Sequence, residues 1–138
     1  MKADPARPEI LVIDDEVQIR RLLRLTLEPA GYRLSEAGTG QLGLTEAATR
    51  QFDAIILDVD NGASGLTAAA NSRLYSAAGL SMARSALRPG GCLAVWSANA
   101  DPAFVQRMGQ SGFTVTVERA RTHPTGGSWN SLFIGRIG

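Results

Sequence analysis

Ala54-Ile55-Ile56-Leu57-Asp58-Val59-Asp60-Asn61-Gly62 is the stretch that decides how this chain is read. Four apolar residues, Ala54 to Leu57, stand between Asp53 and Asp58. A short run rich in β-branched residues, ended by acids and an Asn-Gly turn, reads as a strand buried on both faces. Such strands belong to parallel sheets with helices on either side. Asp58 then lies at the carboxyl edge of the sheet, where open α/β folds bind ligands.

Working outward, strands and helices alternate. Residues 1–8 are a polar lead expected to fray. Glu9 to Ile13 predicts a buried first strand that ends at Asp14-Asp15-Glu16, where Asp15 can cap the next helix and Glu16 suits its positive end. From Val17 to Leu27, apolar residues (Val17, Ile19, Leu22, Leu23, Leu25, Leu27) lie apart from Arg20, Arg21 and Arg24, giving an amphipathic helix that Pro29-Ala30-Gly31 stops. Tyr32 to Glu36 is a second strand, and a second helix runs from Thr39-Gly40 to near Gln51.

Beyond Asp58, residues Asn61 to Thr67 read as a long polar loop, which makes them functional suspects. Ala68 to Leu87 reads as one helix, weakened at Gly79 and ended sharply by Arg88-Pro89-Gly90-Gly91. Cys92 to Trp96 is a fourth strand closing at Ser97. Asp101-Pro102 opens a helix that reaches Gln110. Phe113 to Glu118 is a fifth strand, Arg119 to Ser128 a loop, and Trp129 to Gly135 a last strand. Two strands with no helix between them pair antiparallel or sit apart. The expected fold is α/β: a single domain over residues 1–138, a doubly wound, mostly parallel three-layer sandwich. Its expected strand order is 2-1-3-4-6-5, with the last strand antiparallel.

Composition sets the outer limits. The chain has 138 residues, 44% hydrophobic and 20% charged, which is ordinary for a globular domain. No apolar run approaches the ~20 residues a membrane span needs, and Met1 to Pro5 lack a signal-peptide core, so a cytoplasmic location is expected. Cys92 is the single cysteine, which excludes an internal disulfide and reads as a small core residue. Charge is uneven: residues 1–58 carry seven Lys/Arg and ten Asp/Glu, residues 59–138 seven Arg and three Asp/Glu. The arginines are scattered, so neither nucleic acid nor a membrane is expected as a partner. His123 and the glycine pairs Gly90-Gly91 and Gly126-Gly127 read as loop and turn residues.

In a doubly wound sheet the first and third strands are neighbours at the switch point. Asp14 and Asp15 end the first, and Asp58 ends the third. Three carboxylates brought together repel unless one takes up a proton or a cation, and oxygen-only ligands suit Mg²⁺. A plainer reading stays open on spacing alone: two acids that start a helix and one that ends a strand.

Ile10-Leu-Val-Ile-Asp14-Asp15-Glu16, the Arg20-Arg21-Leu22-Leu23 helix, Gly31-Tyr32 and Asp53-Ala-Ile-Ile-Leu-Asp58 resemble the first half of a response-regulator receiver domain, a flavodoxin-like fold of two-component signalling, in its OmpR-type, potassium-sensing flavour. The resemblance covers residues 9–58. It implies that Asp58 is the phosphoacceptor and that Asp14 and Asp15 join it in holding Mg²⁺. It also implies that Ser97 stands where receivers keep a Thr or Ser touching the phosphoryl oxygens. Only that reading calls for a partner, a sensor kinase. The resemblance then fails: Asp60-Asn61-Gly62 replaces the Pro-Gly-type loop, and Lys2 is the one lysine, so none can end the fifth strand.

Residues 53–138 instead resemble the carboxyl-terminal half of a class I methyltransferase fold, Rossmann-like and most similar to spermidine-synthase-like proteins. The resemblance rests on Leu57-Asp58-Val59-Asp60-Asn61-Gly62, Asn71 to Tyr75, Leu87-Arg88-Pro89-Gly90-Gly91 and Leu93-Ala94-Val95-Trp96-Ser97. The nucleoside-binding glycine turn is absent, because the first strand leads into Asp14-Asp15-Glu16; Glu36 alone imitates the ribose acid. The implied chain is a chimera, deliberately joined at the shared strand: residues 9–58 from one parent, 59–138 from the other. It is expected to be no enzyme and to have no evolved activity, keeping an acidic Mg²⁺ pocket. The alternatives are a working phosphoacceptor and an S-adenosylmethionine-type transferase fragment.

Overall fold

The computed structural model describes residues 7–58, 73–97, 100–123 and 126–138, with the side chains of 120–129 left aside. Expectations about residues 1–6, the 61–67 loop, the start of the 68–87 helix and Pro124 lie outside the described residues.

Six strands form one sheet in the order β2-β1-β3-β4-β6-β5. They are β1 (Glu9–Asp14), β2 (Arg33–Ala37), β3 (Phe52–Asp58), β4 (Leu87–Ser97), β5 (Thr114–His123) and β6 (Gly126–Arg136). Pairing is parallel from β2 through β4 and antiparallel at β4–β6 and β6–β5. Both the expected order and the antiparallel last strand are present. The helices are α1 (Val17–Leu27), α2 (Gly40–Thr49), α3 (Ala77–Ala86) and α4 (Pro102–Gln110).

Right-handed crossovers place the helices. The step from β1 to β2 runs toward one edge, and every later crossover runs toward the other. So α2, α3 and α4 share one face, where α2 packs on α3 and α3 on α4, while α1 lies on β1 and β2. The main core fills the three-helix face: Leu11, Ile13, Leu57, Leu93, Val95 and Phe133 from the strands meet Leu44, Leu80, Phe104 and Met108 from the helices.

Several local expectations are corrected. Asp15 does not cap α1; Glu16 occupies the N-cap without a side-chain bond, and Asp14 accepts the Glu16 N–H instead. The amphipathic helix α1 is present and lies on β1 and β2, but its apolar residues do not all face the sheet. No α1 residue is buried, and Val17, Leu22 and Leu25 are 58%, 58% and 68% exposed. The half-buried side is Arg20, Leu23, Arg24 and Leu27.

The single helix expected from Ala68 to Leu87 is interrupted at Tyr75-Ser76, where the Ser76 hydroxyl accepts the Gly79 N–H and caps α3. Gly79 is a close approach rather than a weak point: a Cβ there would overlap the Arg73 carbonyl oxygen and stand 2.6 Å from that of Leu74. The helix does end at Ala86, just before Arg88-Pro89-Gly90-Gly91, but these four residues form a bulge inside β4 rather than a free turn. Phe52 pairs with Leu87 and Ala54 with Cys92, so four residues bow out opposite Asp53, with Gly90 at φ +82°. The 119–128 loop is a hairpin, with Arg121 paired to Trp129 and His123 to Gly126, so His123 and Gly126-Gly127 belong to strands. Register alone explains this: β5 keeps pairing with β6 until the turn. Other boundaries hold. Thr39 caps α2 through the Leu42 N–H, and Asp101 caps α4 through the Phe104 N–H.

Candidate functional site

The carboxyl edge of the sheet collects the candidate residues. Asp14 and Asp58 are direct partners on adjacent parallel strands, one residue beyond the Ile13–Leu57 pair. They therefore end level, on the same side of the sheet and about 5 Å apart at Cα. Ser97 ends β4; with Leu57 level with Val95, it lies one residue further along than Asp58. Asp58 and Ser97 are half-buried, and Asp15 is exposed. Among the described residues, no three His, Cys, Asp or Glu side chains gather as a metal-holding group.

Asp14 is the distinctive carboxylate, only 2% exposed. Its Oδ1 accepts the Glu16 N–H at 2.8 Å. Burial pushes its pKa above the ordinary carboxylate value, the backbone bond opposes this, and the neighbouring charges of Asp15 and Glu16 add to the rise. An oxygen donor held this way favours whatever neutralises it, a proton or a cation.

Arg20 was not among the candidates read from the sequence, yet it anchors this edge. Its Nη1 donates to the Asp14 carbonyl at 2.7 Å and its Nε to Glu36 at 3.1 Å. Glu36 also accepts from Arg24 Nε at 2.6 Å. Arg24, then Arg20, holds the Glu36 carboxyl below its usual range. Both oxygens of the acid that imitates a ribose ligand are thus engaged by α1. Separations of 12 and 16 residues leave no pattern in a sequence that would announce these pairs.

At the opposite edge Arg88 crosses the chain. It donates to Glu9 at 2.7 Å and to Asp53 at 2.9 Å, while Asp53 accepts the Glu9 N–H at 2.8 Å. Arg50 completes the group through Glu9 at 2.9 Å. The bulge supplies the reach, and the hydrogen bond from Arg88 keeps the Glu9 carboxyl below its ordinary value. This cluster ties β1 and β3 to the segment after Asp58.

Residues 10–74 match the response regulator receiver domain family. Over 50 residues the chain is 56% identical to the KDP operon transcriptional regulatory protein KdpE of Escherichia coli K12, covering 36% of this chain and 22% of that protein. The chain thus spans about a fifth of the length of the curated relatives it matches. Among solved structures, a spermidine synthase in complex with the transition-state analogue AdoDATO superposes with a TM-score of 0.65 at 16% identity, over 97% of this chain and 56% of that one. A methyltransferase from Pyrococcus furiosus gives 0.59 at 15% identity, over 96% and 76%. At such identities the likeness is one of fold. The receiver match thus covers the first part of the chain, while the sheet as a whole has a methyltransferase-like fold. No helix among the described residues is long and apolar enough to cross a membrane.

Proposed function

We propose that Asp58 is a receiver-type phosphoacceptor on the carboxyl edge of this hybrid sheet, and that the chain is not itself an enzyme. The observation that carries this reading is the level pairing of Asp14 with Asp58, inside the segment that matches the receiver family. An Asp58 carboxylate oxygen would attack the phosphorus of an acyl phosphate or of a sensor kinase's phosphohistidine. The new P–O bond forms as the donor's bond to phosphorus breaks and the electron pair leaves with the donor.

The donor set suits a hard cation. Asp14 is buried, its charge is only partly offset by Arg20, and carboxylate oxygens are the donors Mg²⁺ prefers. Asp14 and Asp58 would hold it, with Asp15 joining them once its exposed side chain turns inward, and its charge would offset the repulsion between Asp58 and the incoming phosphoryl group. Ser97 would donate its hydroxyl to a phosphoryl oxygen.

A second reading, an inert hybrid built by joining two parents and keeping a vestigial acidic edge, is favoured by two facts. The receiver match stops at residue 74, and the one lysine, Lys2, precedes β1. Acetyl phosphate with Mg²⁺, read by intact mass, separates the two. Phosphorylation predicts one added phosphoryl group that Asp58→Asn abolishes. No adduct, or one that survives in Asp58→Asn, removes the phosphoacceptor reading and leaves the inert hybrid. Transfer chemistry is disfavoured by Glu36 being held by two arginines, and calorimetry showing no heat with S-adenosylmethionine would retire it.

A further inference from the structure

The two faces of the sheet are not equally covered. Across the outer face one register row runs Val12, Ile56, Ala94, Ile134, Thr116. Val12, beneath α1, is buried completely; Ile56, Ala94 and Ile134 are only half-buried and Thr116 is exposed. The next row, Trp96 and Leu132, is half-buried too. The opposite faces of the same strands bury Leu57, Val95 and Phe133 to 3% exposure or less. Among the described residues α1 alone lies on this outer face, and it covers only the β2–β1 end. Parallel sheets are ordinarily covered on both faces.

The helix that does lie there has its own unmet surface. Val17, Leu22 and Leu25 fall within one arc of about 140° around α1, pointing away from the sheet and more than half exposed. So one end of the outer face carries a helix with an uncovered apolar back. The other end carries an apolar strand surface with no helix on it among the described residues.

We infer that two copies of this chain pair face to face about a two-fold axis, each seating α1 on the other's β4 and β6. A two-fold lying between the sheets, near β3, carries the helix-bearing end of one copy over the helix-free end of the other. Each α1 then lies between two sheets, with Leu23 and Leu27 toward its own and Val17, Leu22 and Leu25 toward its partner's. The interface is isologous, so every contact counts twice. Charge agrees: Arg21, exposed within the stripe, is carried toward the β5 edge, where Glu118 is exposed on the outer side.

Sedimentation and light scattering across micromolar concentrations test this on the whole chain. The expected result is a dimer. The double variant Leu22→Glu/Leu25→Glu changes residues already exposed in the single copy, so its circular dichroism is kept while association weakens by at least about 100-fold. Arg21→Glu is expected to weaken pairing, and adding Glu118→Arg to restore it. A monomer at every concentration overturns the inference. So does a dimer indifferent to the double variant, which would place the contact elsewhere. A monomer that binds an apolar dye unless Leu22 and Leu25 are changed would give this face to a different partner and also sink the pairing.

Discussion

Replacing Asp14 by asparagine changes one buried charge and little else. The side-chain carbonyl of the new amide can still accept the 2.8 Å bond from the Glu16 N–H, so the local turn is kept. What disappears is an ionised group at 2% exposure, repelled by Asp15 and Glu16. A buried charge with one backbone donor is under-compensated. Asp14→Asn should therefore stabilise the protein at pH 7 by about 1–2 kcal/mol, or roughly 3–6 °C in Tm for a chain of this size. The sign with pH follows from the raised folded pKa. Wild-type stability from this group is fully present below the unfolded value of 3.8 and is lost as pH rises through the folded pKa. The gap between variant and wild type should thus be near zero at the acid end and widest at neutral pH. Urea titrations at several pH values, with an unchanged slope against denaturant, measure it. Asp14→Ala is the control: it removes the charge but orphans the Glu16 N–H, and should gain less or lose. An asparagine variant that is equal to or less stable than wild type at pH 7 would refute the reasoning, since the carboxylate would then be compensated in the fold.

Magnesium should raise the wild-type melting temperature and leave Asp14→Asn unmoved; an equal rise in both would place any bound cation away from this edge. Arg88→Ala should cost about 0.5–1 kcal/mol, a modest loss because the Arg88 side chain is 38% exposed. Glu9 is held below its ordinary value of 4.5, so its contribution is present above that value and is lost as pH falls through the folded pKa. Acid titration of stability should therefore show a shallower loss in Arg88→Ala than in wild type. Gly79→Ala should cost more than about 3 kcal/mol in chemical denaturation, because the added carbon would overlap the Arg73 carbonyl and stand 2.6 Å from that of Leu74. A gain there, as helix propensity alone would give, would refute the close approach of the Arg73 and Leu74 carbonyls as the reason for glycine.

Short-range patterns carried much of this protein. The run ending in Asp58 announced a parallel strand but overstated its burial, since only the Ile55–Leu57 face is fully buried; the alternation of strands and helices announced the sheet order, because handed crossovers leave few ways to connect such elements. Asp14 and Asp58 were placed together by that topology. Thr39 and Asp101 marked helix starts through bonds confined to a few residues. The acidic edge was legible for the same reason: strand ends and their neighbours follow from strand order.

What the sequence determined by itself was therefore the list of elements, their order in the sheet and the two carboxylates that share its edge. Tertiary structure decided which surfaces are used. Periodicity names the apolar residues of α1, yet only packing shows that Leu23 and Leu27 lean on the sheet while Leu22 and Leu25 face away. Arg88 and Glu9 are 79 residues apart and Arg20 and Glu36 are 16 apart, and they meet because strand register and a four-residue bulge bring them within reach. Helix and strand preferences act over one or two turns of chain. Coverage of a face and pairing of distant charges depend on how whole layers stack, which no local pattern encodes.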